Sequence, residues 1–155
     1  MKTKILGREL DLPFGVAPVA MQKLIHSEGE KLLASQAQKE NVAYGLSMCS
    51  TTRPSDILKV NPDGLKIQQL YILKNTDYTN RFVKAMEEKG FSAIALTVDT
   101  QTFGKRRIDE RNKFLPVVEL EIFNELGINV KFRHENPEYS FIYNLNNDLS
   151  WDNIS

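Results

Sequence analysis

The stretch from Ser92 to Asn112, SAIALTVDTQTFGKRRIDERN, constrains the fold most tightly. Its opening, Ala93-Ile94-Ala95-Leu96-Thr97-Val98, is a short, nearly continuous apolar run without Gly or Pro. Such a run reads as a strand buried on both faces, as in a parallel sheet covered by helices. Polar groups then arrive together: Thr97, Asp99 and Thr100, followed by Lys105, Arg106, Arg107 and Asp109. A buried strand ending in a hydroxyl, a carboxylate and a fixed-charge guanidinium is how a barrel presents groups to a ligand at its C-terminal rim. Taken alone, the KRR run reads as a solvated basic turn. The same design recurs at three earlier strands, and that recurrence gives the stretch its weight.

Residues 4–14 alternate apolar and polar around Gly7-Arg8, which predicts a small hairpin ahead of the main fold. Phe14 to Pro18 is a short buried strand ended by a proline that cannot donate to a ladder. Ser27-Glu28-Gly29-Glu30 has capping-box spacing, so a helix is expected from about Glu28 to Lys39, burying Leu33, Ala34 and Ala37. Val42 to Met48 is the second strand. Thr52 and Pro54 offer a cap and first turn for a short helix through Leu58. Asn61-Pro62-Asp63-Gly64 marks a turn, and Leu65 to Leu73 is the third strand. Asn75 or Thr76 caps a helix carrying Tyr78, Phe82, Val83 and Met86 on one face, and Gly90 stands where a C′ glycine belongs. This β-α-β-α-β-α-β order implies a parallel sheet with right-handed crossovers.

Past Pro116 the pattern changes. Residues 117–130 hold a short helix ending near Gly127, and 131–147 read as a long polar, Asn-rich loop, a lid or a disordered insertion. Ser150 to Ile154 looks like a capped helix start that runs out at Ser155, a hint of truncation.

Length and charge remove several classes of function. The 155 residues suffice for one domain with a sizeable core. Lys+Arg and Asp+Glu are both 20, so no long-range positive field recruits nucleic acid or anionic membrane. No run approaches a membrane span, and the first residues lack the apolar core of a signal peptide. The single cysteine, Cys49, excludes an internal disulfide and reads as an inert buried thiol. Neither G-x-G-x-x-G nor a P-loop is present, which argues against a dinucleotide-binding domain and leaves a flavodoxin-like sheet as a weaker alternative.

If the sheet curves into a barrel, four groups of residues converge at its strand ends. They are Pro18-Val19-Ala20, then Ser47, then Gln69 and Tyr71, then Thr97, Asp99 and Arg106. Neutral hydrogen-bonding groups suit the rim of a flat heterocycle, and an arginine suits a carboxylate held bidentately.

APVAMQKLIHSEGE, QQLYILKNTD, GFSAIALTVDT and FGKRRIDERNKF, in that order, resemble the FMN-dependent 2-hydroxy-acid oxidase family, the glycolate oxidase-like flavoenzymes. The resemblance runs from about Thr3 to Pro116 and implies α/β architecture. About the first four βα units of a partial (β/α)8 barrel would span 3–116, with a long loop and a helix start over 117–155. It implies FMN as cofactor and a small 2-hydroxy acid as substrate, oxidised to the 2-oxo acid with peroxide formed. Pro18, Val19 and Ala20 would lay their backbone against the flavin ring, while Ser47, Gln69 and Thr97 would bond its polar edge. Tyr71 would bond the substrate, Arg106 would clamp its carboxylate, and Asp99 would orient the general-base histidine. A homo-oligomer at full length and a peroxisomal or cytoplasmic location are further expectations of the resemblance.

The family's base lies in an H-G-x-R motif that these residues do not contain, and neither histidine replaces it. His26 precedes the first barrel helix and reads as structural; His134 lies in the polar loop. Cys49 stands where glycolate oxidases often carry a bulky aromatic, and Gln101 and Lys105 replace a proline and an arginine. A complete barrel takes ~250 residues and eight strands. The chain therefore reads as the N-terminal half of such an enzyme, with little turnover expected alone. The alternative is a non-catalytic relative that docks on partners through an open sheet edge.

Overall fold

The structure, a computed structural model, describes residues 2–100, 104–114, 118–131 and 140–151. Strands β1 (Thr3–Ile5) and β2 (Arg8–Leu10) form the expected antiparallel hairpin. Leu6 and Gly7 between them sit at φ 48° and 80°, the paired positive φ of a two-residue hairpin turn. Four parallel strands follow: β3 (Gly15–Val16), β4 (Ala43–Leu46), β5 (Lys66–Leu70) and β6 (Ala93–Leu96). They lie in the order β3-β4-β5-β6. A strictly sequential order is that of successive barrel units, whereas a doubly wound sheet reverses at a switch point. The flavodoxin-like alternative is thereby set aside.

Helices α1 (Glu30–Lys39), α2 (Pro54–Val60) and α3 (Thr76–Glu88) make the crossovers. Two one-turn helices come after β6, α4 (Arg107–Arg111) and α5 (Glu121–Glu125). Side chains alternate along each strand, so Tyr44, Leu46 and Leu70 share the helix-facing side. There they meet Ala34, Ala37, Ile57, Phe82, Met86 and Phe123 in the main core. Fully burying a side chain such as Phe82 is worth about 1.5–3 kcal/mol. A smaller cluster of Leu10, Ala43 and Leu65 places the hairpin over the N-terminal ends of β4 and β5. The opposite, C-terminal ends remain for a site.

Several local expectations hold. Asn75 caps α3, its Oδ1 accepting from the backbone N–H of Asp77 and Tyr78. Gly90 takes φ 76° just past the helix, and Pro54 opens α2. Others need correction. Helix α1 begins at Glu30 with Gly29 at its cap, φ 55°, and Ser27 makes no capping bond. Its side chain Leu33 is exposed, because Ala34 and Ala37 already face the sheet. Thr52 does not cap α2; its hydroxyl turns to Glu30 instead.

The region expected to be a loose loop is partly folded onto the domain. Phe141 and Leu145 are buried, Leu145 bridges Leu73 in antiparallel fashion, and Asn144 O accepts from the Lys74 N–H at 2.7 Å. The apolar residues of this segment are few, and only docking on the tail of β5 reveals their role. Residues 132–139, including His134, lie outside the described residues, as do Gln101, Pro116 and Asp152 to Ser155 of the expected helix start.

Candidate functional site

The C-terminal ends of β4, β5 and β6 are linked side by side through one side chain. Gln69, buried on β5, accepts from the Met48 N–H at 2.9 Å through Oε1. Its Nε2 donates to Thr97 Oγ1, also at 2.9 Å. An amide carries two N–H donors and a two-lone-pair oxygen, so each end of Gln69 keeps bonding capacity after these contacts. Gln69 and Thr97 thus form one polar layer across neighbouring strands.

Tyr71 follows β5 and lies half-buried beside that layer. Burial raises its phenol above the ordinary value of 10.0; neighbouring Cys49 and Asp99 add to the rise, and a hydrogen bond with Thr97 opposes it. A phenol so shifted stays a hydroxyl at neutral pH and can donate. Its ring meets Phe141 edge-on, with centroids 5.6 Å apart. Phe141 in turn contacts Phe123 at 6.0 Å, and Phe123 contacts Phe82 at 5.9 Å. The rim phenol is therefore propped by a row of rings reaching into the core. Phe141 was illegible as a support for Tyr71, since its own short apolar run lies 70 residues away in the chain and gives no sign of docking there.

The first loop reaches the same rim. Pro18 lies directly over Gly45 of β4, where an added Cβ would stand 2.8 Å from Pro18 Cδ. Only a glycine permits that approach. Pro18 and Val19 are exposed and Ala20 half-buried, and the Val19 carbonyl accepts from Gln22 Nε2 at 3.2 Å. Ser47 is buried just past β4, with its Oγ accepting from the Cys49 N–H at 3.1 Å, so its hydroxyl oxygen stabilises its own turn. Burial pushes the Cys49 thiol up, which suits an inert side chain.

The remaining side of the rim carries its charged groups exposed among the described residues. Asp99 is exposed and accepts from Thr100 Oγ1 at 3.1 Å. Arg106 is exposed at the cap position of α4, reached from β6 through residues 101–103, which are outside the described set. A cleft of about 220 Å³ lies next to Thr97, between the end of β6 and Asn146, Leu149 and Trp151 of the returning C-terminal segment. His26 stands apart on the surface, its Nδ1 accepting from the Glu28 N–H. Among the described residues no cluster of His, Cys, Asp and Glu could hold a metal ion, and no helix is long and apolar enough to cross a membrane.

The family model described as FMN-dependent dehydrogenase matches residues 1–155. The chain belongs to that family. FMN is the cofactor of the FMN-dependent dehydrogenases. Spinacia oleracea glycolate oxidase is 34% identical over 100% of this chain and 43% of its own length. Zea mays glycolate oxidase 1 is 35% identical over 84% of this chain and 35% of its own. The chain thus spans less than half the length of these relatives. Among solved structures, mandelate oxidase with (S)-2-phenylpropionate superposes with a TM-score of 0.73 at 37% identity, covering 79% of this chain and 37% of that one. A Pediococcus acidilactici protein assigned as a lactate oxidase reaches 0.76 at 28% identity, covering 81% and 35%. The α/β fold, with its parallel four-stranded sheet, is the part these oxidases share with the chain.

The donor set fits a flavin. A buried amide with spare capacity, a hydroxyl beside it and a bare backbone edge at Pro18 to Ala20 are neutral groups, which a ring with alternating donors and acceptors needs.

Proposed function

We propose that this chain is the cofactor-facing N-terminal part of an FMN-dependent 2-hydroxy-acid oxidase. The observation that carries this reading is the Met48–Gln69–Thr97 layer at the strand C-termini. Gln69 and Thr97 would hold the polar edge of the flavin, with Ser47 beside them, and the backbone of Pro18, Val19 and Ala20 would lie against the ring. FMN, when bound, supplies the acceptor for the hydride leaving the substrate's α-carbon. Tyr71 keeps its proton and donates it in a hydrogen bond to the substrate's hydroxyl or carboxylate. Arg106 pairs with that carboxylate, where a guanidinium fork gives two parallel bonds. Asp99 orients a general-base histidine that these residues do not supply. Turnover to the 2-oxo acid and peroxide therefore belongs to an assembly larger than this chain, with a peroxisomal or cytoplasmic location and homo-oligomerisation as further parts of the reading.

The test is an FMN titration of the purified chain followed by flavin fluorescence, with peroxide measured on adding glycolate or a longer 2-hydroxy acid. Quenching that is lost in Gln69→Ala, without peroxide, supports the reading. Peroxide at an enzyme-like rate from this chain alone, or quenching indifferent to Gln69, overturns it.

A second reading, a non-catalytic relative that docks on full-length subunits, draws on the sheet edges. Each of β3 and β6 has one strand neighbour among the described residues. The genomic sequence after Ser155 separates the two: an in-frame continuation bearing H-G-x-R favours the first, a stop codon the second.

A further inference from the structure

One acidic side chain stands out from the site just described. Glu30, the first residue of α1, is fully buried. Its Oε1 accepts from the Gln22 N–H at 3.1 Å and the Thr51 N–H at 3.0 Å. Its Oε2 accepts from the hydroxyls of Thr51 at 2.9 Å and Thr52 at 2.6 Å. A carboxylate offers about four acceptor positions, and these donors fill them. Burying such a group is costly unless it is fully hydrogen-bonded, and the full shell meets that demand. The α1 start also supports it, because a helix N-terminus favours negative charge.

The donors come from two loops. Gln22 belongs to the loop after β3, which carries Pro18 to Ala20. Thr51 and Thr52 belong to the loop after β4, which carries Ser47 and Met48. The same loops meet again where Met21 N–H donates to Cys49 O at 3.0 Å and Lys23 N–H to Thr51 Oγ1 at 3.1 Å. Gly29 leaves the space: a Cβ there would stand 3.0 Å from Thr52 Oγ1. Met48 N–H is the group that Gln69 accepts from, so the register of the second loop passes directly into the polar layer.

We propose that Glu30 is a positioning residue for the flavin site, locking the β3 and β4 loops together so that the backbone edge and the Gln69 layer face one ligand. It touches no reacting atom and acts through Gln22, Thr51 and Thr52. The ligand half of the claim rests on the flavin reading above; the locking half does not.

The test uses the full chain, with Cys49 as an internal reporter because it is buried in the second loop. Glu30→Gln keeps the shape but turns an amide NH₂ toward groups that are themselves donors. Thr52→Val removes the shortest bond, and Thr52→Ser restores the hydroxyl. With far-UV circular dichroism unchanged, Glu30→Gln should speed Cys49 alkylation about tenfold or more and weaken FMN binding about tenfold, the scale of one bond to a charged group. The visible circular dichroism of the bound flavin should change with it. Thr52→Val should move the same way and Thr52→Ser should return to the wild-type values, which a change in bulk alone does not produce. Alkylation at the wild-type rate in Glu30→Gln overturns the lock. Faster alkylation with unchanged FMN affinity overturns the positioning role. If the wild type takes up no FMN, the flavin reading falls, and alkylation of the Thr52 pair decides the lock: Val faster than Ser supports it, equal rates overturn it. The Thr52 pair also decides it if Glu30→Gln does not fold.

Discussion

The two sides of the rim are built on opposite plans. Along β3, β4 and β5 the groups that shape the rim are buried and bonded: Glu30 to two loops, Gln69 to Met48 and Thr97, Ser47 to its own turn. Along β6 and α4 the charged groups, Asp99 and Arg106, stand exposed. A buried, satisfied group is held by the fold before any ligand arrives, whereas an exposed charge is screened by water and gains definition from what it binds. The first side is therefore made to hold, and the second to respond. On the proposed reading this division fits a held cofactor and an exchanged acid.

That contrast can be broken in graded steps. The largest effect is expected from Phe123→Ala, which removes the middle ring behind Tyr71 and opens a cavity in the core. A loss of about 3–5 kcal/mol in chemical denaturation is expected; a loss near zero means the ring row is not structural. Next comes Gln69→Leu, which leaves the Met48 N–H and the Thr97 hydroxyl without their partner. About 1–3 kcal/mol should be lost, along with FMN binding. If stability survives while binding is lost, Gln69 is wholly a ligand group. Asn75→Ala removes only a cap and should cost about 1 kcal/mol, giving the scale of a purely local change in the loop after β5.

Acid should weaken the packing behind the buried side. Desolvation pushes the Glu125 carboxyl up, but Lys89 and the Ser55 N–H and hydroxyl outweigh it, and the net shift is downward from 4.5. A carboxyl depressed on folding adds stability above its unfolded value and loses it as pH falls through the lower folded value. Melting temperature should therefore drop below about pH 4.5, and less so in Glu125→Gln. The smallest change is expected for Asp99→Asn, within about 0.5 kcal/mol, since the side chain is exposed. A larger loss would show that the β6 side is preorganised after all.

How much of this was legible depended on the range of the forces involved. The four strands were readable as short apolar runs, and the Asn75 cap and Gly90 stop because they are set within a few residues. Burial on both faces holds for β4 and nearly for β5, but β3 and β6 are only partly buried, with Ile94 37% exposed. Gln69 and Thr97 could be named, but not their mutual bond, which depends on the registry of β5 against β6. The Ser27 capping box failed for a different reason. Its spacing was right, but Glu30 found better partners in Thr51 and Thr52, 21 and 22 residues away. Phe141 and Leu145 were missed because their burial is a property of the tail of β5 rather than of their own neighbourhood.

The contact between Pro18 and Gly45 has a lopsided consequence. The loop hangs on the absence of a methyl group in the strand beneath it. Variation at position 18 can be absorbed by an exposed backbone, but any side chain gained at position 45 lifts Pro18 away and carries Val19 and Ala20 with it. The strands can stay in place while that one added methyl group dismantles the edge they carry.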